Sequence, residues 1–260
     1  MKILKKNVLL LFIILITIII SYFNFILKGG FGTGDDIGLV LNAKNNNLGY
    51  LNDKISFFNM IKSSFLGKHP DRPLSIFVSE LTHYFYKDNI RLYIISSILT
   101  WLLTVYFLSL VLLEFLKRKT VYIFLLLAPF PFFSSTIITG PYLFTAYFTS
   151  ILFWSISLFC LVQYAKYKNI YLFVFGLFFL IFSLLCLEYI IPLLLLTIFF
   201  PILYEINKIN LLKKELFINL FFRYFLPVII IALFFLIFKI FLIKLYTNTQ
   251  ITYGVSTFNI

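Results

Sequence analysis

Charge is what this chain has least of. Only 12% of its 260 residues are Asp, Glu, Lys or Arg, against 62% that are hydrophobic. That excludes a water-soluble domain, whose outside would have to face water with almost no polar surface. Histidine and cysteine number two each. Cys160 and Cys186 lie inside apolar segments without metal-like spacing, so they read as small core residues. His69 and His83 have no second ligand at a recognisable spacing, which leaves no zinc motif. Glycine and proline are scarce, and neither an internal repeat nor a low-complexity linker divides the chain. Acids are scarcer than bases, 10 against 22, for a formal net charge of +12. The excess does not describe a nucleic-acid surface. The cations fall in short clusters between apolar runs, where they set topology and meet anionic membrane lipids.

What fills the chain is apolar sequence in continuous runs near 20 residues, the length that crosses a hydrocarbon core of roughly 30 Å. A β-barrel would need alternating segments of about 10 residues. The predicted fold is therefore all-α. It is a polytopic transmembrane helical bundle of about seven spans, one membrane domain over 1–260, with spans at 8–27, 93–115, 121–139, 142–164, 170–187, 189–204 and 225–246. The first run follows Lys2, Lys5 and Lys6 and exceeds the apolar region of about 7 to 15 residues typical of a signal peptide, so it reads as an uncleaved anchor. The stretch 170–203 is too long for one span at ordinary tilt. It divides near Glu188 into a helical hairpin; one long tilted helix there would invert the later topology. Basic clusters at the amino terminus and after the second, fourth and sixth spans put the amino terminus in the cytoplasm. The loop 28–90 is then external.

That loop concentrates the polar residues, so chemistry is sought there first. Gly29-Gly30-Phe31-Gly32-Thr33-Gly34 is a flexible approach that lets backbone come close to a ligand. It lacks the ending and the preceding strand of a phosphate loop. Asp35 and Asp36 follow. They can supply a general base or hold a divalent cation through oxygen ligands, or they can form a solvated turn, as Gly-Asp-Asp-Ile-Gly chemistry allows. Apolar residues from Leu48 to Phe65 recur every three or four positions, predicting an amphipathic interfacial helix. Pro73 to Tyr86 reads as a second short helix with Pro in its first turn.

Between these helices stand Lys68, His69, Pro70, Asp71 and Arg72. The Arg72 guanidinium can grip a phosphate in bidentate fashion or pair with Asp71 or a lipid headgroup. Lys68 and His69 extend the same candidate substrate site. Glu188 joins it on topological grounds. At bilayer depth an ionisable group is functional by default; at the turn of a hairpin it sits at the external interface.

Gly34-Asp35-Asp36-Ile37 followed by Asp71-Arg72-Pro73-Leu74, behind a first span and among interfacial helices, resembles the GT-C class of integral-membrane glycosyltransferases. Within it the resemblance is to the bacterial O-antigen glucosyltransferase type, which pairs an Asp-Asp motif with Gly-Arg-Pro-Leu. The resemblance covers the whole chain as topology. It implies a polyprenyl-phosphate-linked sugar donor and a cell-envelope glycan, lipid or protein acceptor. It also implies residence in the bacterial inner membrane and a catalytic carboxylate, Asp36 or Asp35, in the first external loop. Arg72 and Lys68 would steady the phosphate leaving group. Two positions depart from the pattern: Asp71 replaces the usual Gly, and Leu39 stands where a basic residue often follows the acids. Class members commonly continue beyond a seventh span, so a minimal module, a partner-dependent subunit and a truncated product all fit. A transporter or lipid-carrier flippase is the rival; it predicts inverted repeats and broken helices with charges near midplane, neither of which the sequence offers clearly, although Pro129, Pro131 and Pro192 could break helices.

Overall fold

The computed structural model describes residues 16, 73–86, 89–118, 120–122, 141–186, 188–209 and 214–248. Among them there is no strand, and the chain is an all-α membrane bundle. The helices are α1 (Pro73–Tyr86), α2 (Ile90–Leu112), α3 (Pro141–Tyr167), α4 (Ile170–Cys186), α5 (Leu194–Ile209) and α6 (Lys214–Asn248), with a 3-10 turn at Glu188–Leu193 leading into α5. Among the described residues four stretches are long and apolar enough to cross a bilayer: Arg91–Leu112, Tyr147–Tyr167, Ile190–Asn207 and Ile218–Phe241; α4 is apolar but shorter. In lipid each backbone N–H and C=O must be satisfied within the segment, which is why such runs become helices. The expected spans 8–27 and 121–139, the helix expected over 48–65 and the carboxyl-terminal tail lie outside the described residues, but for Ile16 and residues 121 and 122.

Boundaries differ from the sequence expectation at the polar ends. The last helix starts at Lys214, well before the expected 225. Lys214, Glu215 and Arg223 thus ride on its first turns, and Pro227 sits inside it. The apolar run 170–203 is two helices. Lys168, just before α4, forms an ion pair with Glu205 near the end of α5. At about 1.5 Å per residue, one continuous helix would hold them tens of ångströms apart. The reversal falls at the 3-10 segment, whose Pro192 lacks the N–H that a regular ladder needs.

Helix α3 is the central element. It runs parallel to α2, as the ring contacts Trp101–Phe148 (6.1 Å) and Phe107–Phe159 (5.5 Å) show. It runs antiparallel to α4, with Phe153 against Phe182 (5.7 Å) and Tyr164 against Phe173 (4.9 Å). Lipid tails are as apolar as leucine, so helices associate here through close packing and hydrogen bonds. Gly176 of α4 provides the close approach: a Cβ added there would lie 2.9 Å from Leu161 Cγ. Ser150 Oγ donates to the Ser183 carbonyl at 3.0 Å, and Ser183 Oγ donates back to the Ser150 carbonyl at 2.8 Å. Trp154 Nε1 donates to Thr197 Oγ1 at 2.9 Å, fastening α5 to α3. Helix α6 lies at the periphery and exposes Ile230, Phe234, Ile237 and Phe241, a face suited to lipid.

Candidate functional site

The bundle has two chemically different ends. One gathers the end of α2, the α3–α4 turn, the end of α5 and the start of α6, and it holds the ion pairs Lys166–Glu114 and Lys168–Glu205. At the other, three residues separate the end of α1 from the start of α2, and Glu188 opens the 3-10 turn between α4 and α5. Helix α1 packs on α3 and α4, and Pro73 and Ser75 in its first turn are buried. Proline is accommodated at this position because the first N–H groups of a helix have no intrahelical partner.

Of the site residues expected from sequence, Asp35, Asp36, Lys68, His69 and Arg72 lie outside the described residues, as does the Gly-rich approach before them. Arg72 immediately precedes the first residue of α1. Glu188 is placed by its backbone at the reversal between α4 and α5. Among the described residues no three His, Cys, Asp or Glu side chains gather as a metal site. Cys160 and Cys186 are free, buried thiols on α3 and α4.

The charged end holds two constellations that sequence reasoning did not single out. Glu114, just past α2, accepts from Lys166 Nζ at 2.9 and 3.0 Å and from Gln163 Nε2 at 3.1 Å. Glu205 of α5 is more deeply set, with 7% of its side chain exposed. Its Oε1 receives the Tyr224 hydroxyl at 2.5 Å and pairs with Lys168 Nζ, while Arg223 Nη1 stands 3.6 Å away. Burying a carboxylate is costly unless it is paired and hydrogen-bonded. The Tyr224 hydroxyl and the Lys168 ammonium meet that requirement, with Arg223 as a more distant counter-charge, and in doing so they tie α5 to α6 and to the α3–α4 turn.

The turn is built for this. Lys168 adopts φ 56°, a left-handed helix cap in which its N–H donates to the Tyr164 carbonyl at 2.8 Å. Asn169 then caps α4, its Oδ1 accepting from the Tyr171 N–H at 3.0 Å. Lys168 Nζ also lies 5.8 Å from the Tyr164 ring centroid, and Tyr164 meets Tyr224 edge-on at 6.0 Å. Amphipathic tyrosines and cations at this level suit a membrane–water boundary.

Between α4 and α6, towards the far end, lies an apolar groove of about 130 Å³ lined by Ile181, Leu184, Leu185, Ile231, Phe234, Phe235 and Phe238. No family model, no curated protein and no solved structure matches this chain.

Proposed function

We propose that this membrane protein is a glycosyltransferase that moves a sugar from a polyprenyl-phosphate carrier to a cell-envelope glycan, lipid or protein. The observation that carries the reading is the motif pair Gly34-Asp35-Asp36-Ile37 and Asp71-Arg72-Pro73-Leu74. Its second half runs into a helix packed on the bundle at the end away from the charged constellations. In this reading Asp36, or its neighbour Asp35, takes the proton of the acceptor hydroxyl. Arg72, with Lys68 and His69 beside it in sequence, stabilises charge developing on the departing phosphate. Glu188 belongs to the same end of the bundle. The positive-inside rule makes the charged end cytoplasmic and the reaction external, with the amino terminus in the cytoplasm of a bacterial inner membrane.

The test is transfer of labelled sugar from a synthetic polyprenyl-phosphate donor by membranes carrying the protein. Asp36→Asn keeps the side-chain shape and removes its basicity. Transfer should fall about 10²- to 10⁴-fold, the usual worth of general-base assistance, with protein level unchanged. Wild-type transfer by both Asp36→Asn and Asp35→Asn would remove the acidic pair from the chemistry.

A further inference from the structure

We propose that the seam between α4 and α6 binds an anionic diacyl phospholipid from the leaflet at the charged end. Its phosphate would lie against Lys168 and Arg223, with one acyl chain running into the groove at Ile181, Leu184, Ile231 and Phe234. The inference is independent of the sugar-transfer reading, which concerns the opposite end of the bundle.

Charge points to the headgroup. Lys168 and Arg223 together carry two positive charges against the single carboxylate of Glu205, while Lys166 is matched by Glu114. Among the described side chains of this constellation one positive charge is left over, and a phosphodiester supplies one negative. Both cations can reach it: their side chains are 47% and 43% exposed. Arg223 is only loosely engaged, since 3.6 Å from one nitrogen to Glu205 is too long for a hydrogen bond. The guanidinium fork keeps donors for a phosphate, which it suits in geometry.

The apolar track points to the chain. On α6, Arg223, Pro227, Ile230 and Phe234 fall on one face by helical periodicity, and Ile230 and Phe234 are exposed. On α4 the corresponding stripe is Ile170, Val174 and Ile181, all exposed. Both stripes lead from the cations to the groove. At about 1.5 Å per residue, Ile231 lies about 12 Å and Phe234 about 17 Å beyond Arg223, so the groove opens near the roughly 15 Å depth at which one leaflet's hydrocarbon ends. The groove lining is entirely aliphatic and aromatic.

The test uses the full-length protein purified in detergent, with phosphatidylglycerol, phosphatidylcholine or inorganic phosphate added while thermal unfolding is followed. Phosphatidylglycerol should bind about fivefold more tightly than phosphatidylcholine, the factor expected for one cation facing an anionic headgroup. Arg223→Gln should abolish that preference. A second readout needs no charge variant. In Phe234→Trp, phosphatidylglycerol brominated on its acyl chains should quench the added emission more strongly than brominated phosphatidylcholine at equal mole fraction. Equal behaviour of the two lipids in both assays overturns the proposal. So does a preference that survives Arg223→Gln. Stabilisation by inorganic phosphate matching that of phosphatidylglycerol would overturn the lipid as occupant and leave a free-anion site.

Discussion

Lys168 combines a backbone conformation that disfavours it with a side-chain partner that needs it, and the two can be separated. At φ 56° a residue with a Cβ sits in the left-handed region, at a cost of roughly 1–2 kcal/mol that glycine largely avoids. Allowing for the greater freedom of glycine in the unfolded chain, Lys168→Gly should gain about 1 kcal/mol from the backbone. Against this stands the ion pair with Glu205. A hydrogen bond to a charged group contributes about 1.5–3 kcal/mol. Because half of the Lys168 side chain faces solvent, about 1–2 kcal/mol is the fitting figure. Lys168→Ala loses the pair and keeps the strain, so it should cost about 1–2 kcal/mol. Lys168→Gly should fall about 1 kcal/mol short of that loss. In a Glu205→Gln background the pair is already gone, and Lys168→Gly should become stabilising by about 1 kcal/mol. Equilibrium unfolding in mixed micelles across these variants measures each of these differences. Equal stabilities of the Gly and Ala variants would refute the left-handed cap. A Gly variant less stable than Lys in the Glu205→Gln background would refute Glu205 as the partner that keeps lysine there.

Gly176→Ala should destabilise despite the better helix propensity of alanine, by about 1–3 kcal/mol. The new methyl meets the branch carbon of Leu161 at 2.9 Å, and Leu161 is itself buried; a stabilised variant in the same unfolding assay would show that α3 and α4 can part freely. Ser150→Ala and Ser183→Ala should each cost about 0.6 kcal/mol, the average for hydrogen bonds between membrane helices, and their double-mutant cycle should be additive, because each hydroxyl bonds a main-chain carbonyl that the other substitution leaves intact. A cysteine at Asn89 and one at Tyr171, both exposed and at opposite ends of the bundle, should differ in reactivity towards a membrane-impermeant thiol reagent in intact cells. Asn89 should react and Tyr171 should be protected, and the reverse pattern would invert the proposed orientation.

The helical membrane class was legible because lipid imposes it: runs near 20 apolar residues with so little charge leave the backbone no other way to satisfy its polar groups. The helix from Pro73 was equally legible, since proline at the first position needs no N–H partner. Which helices touch was not legible. Small residues such as Gly176, Ser150 and Ser183 make the contacts, yet they give no periodic signal in a sequence where all faces of a helix are apolar. The acidic pair and Arg72, the residues on which a catalytic reading depends, lie outside the described residues.

The charged end shows why local reading misses long-range pairs. Glu114 and Glu205 are each followed three positions later by a lysine, Lys117 and Lys208, so each looks like half of an ordinary pair on one helix surface. In the structure both glutamates meet lysines at the end of α3 and just past it: Lys166 for Glu114 and Lys168 for Glu205. These lysines are two residues apart. On a continuing helix they would point about 200° from one another, given 3.6 residues per turn, and that helix would carry the chain away from α5 altogether. The left-handed turn at Lys168 ends α3 at that point. It lets the chain reverse into α4 while the Lys168 side chain stays at the level of Glu205. One unfavourable backbone conformation thus allows neighbouring lysines to hold two different helices, α2 by its end and α5 by its buried carboxylate.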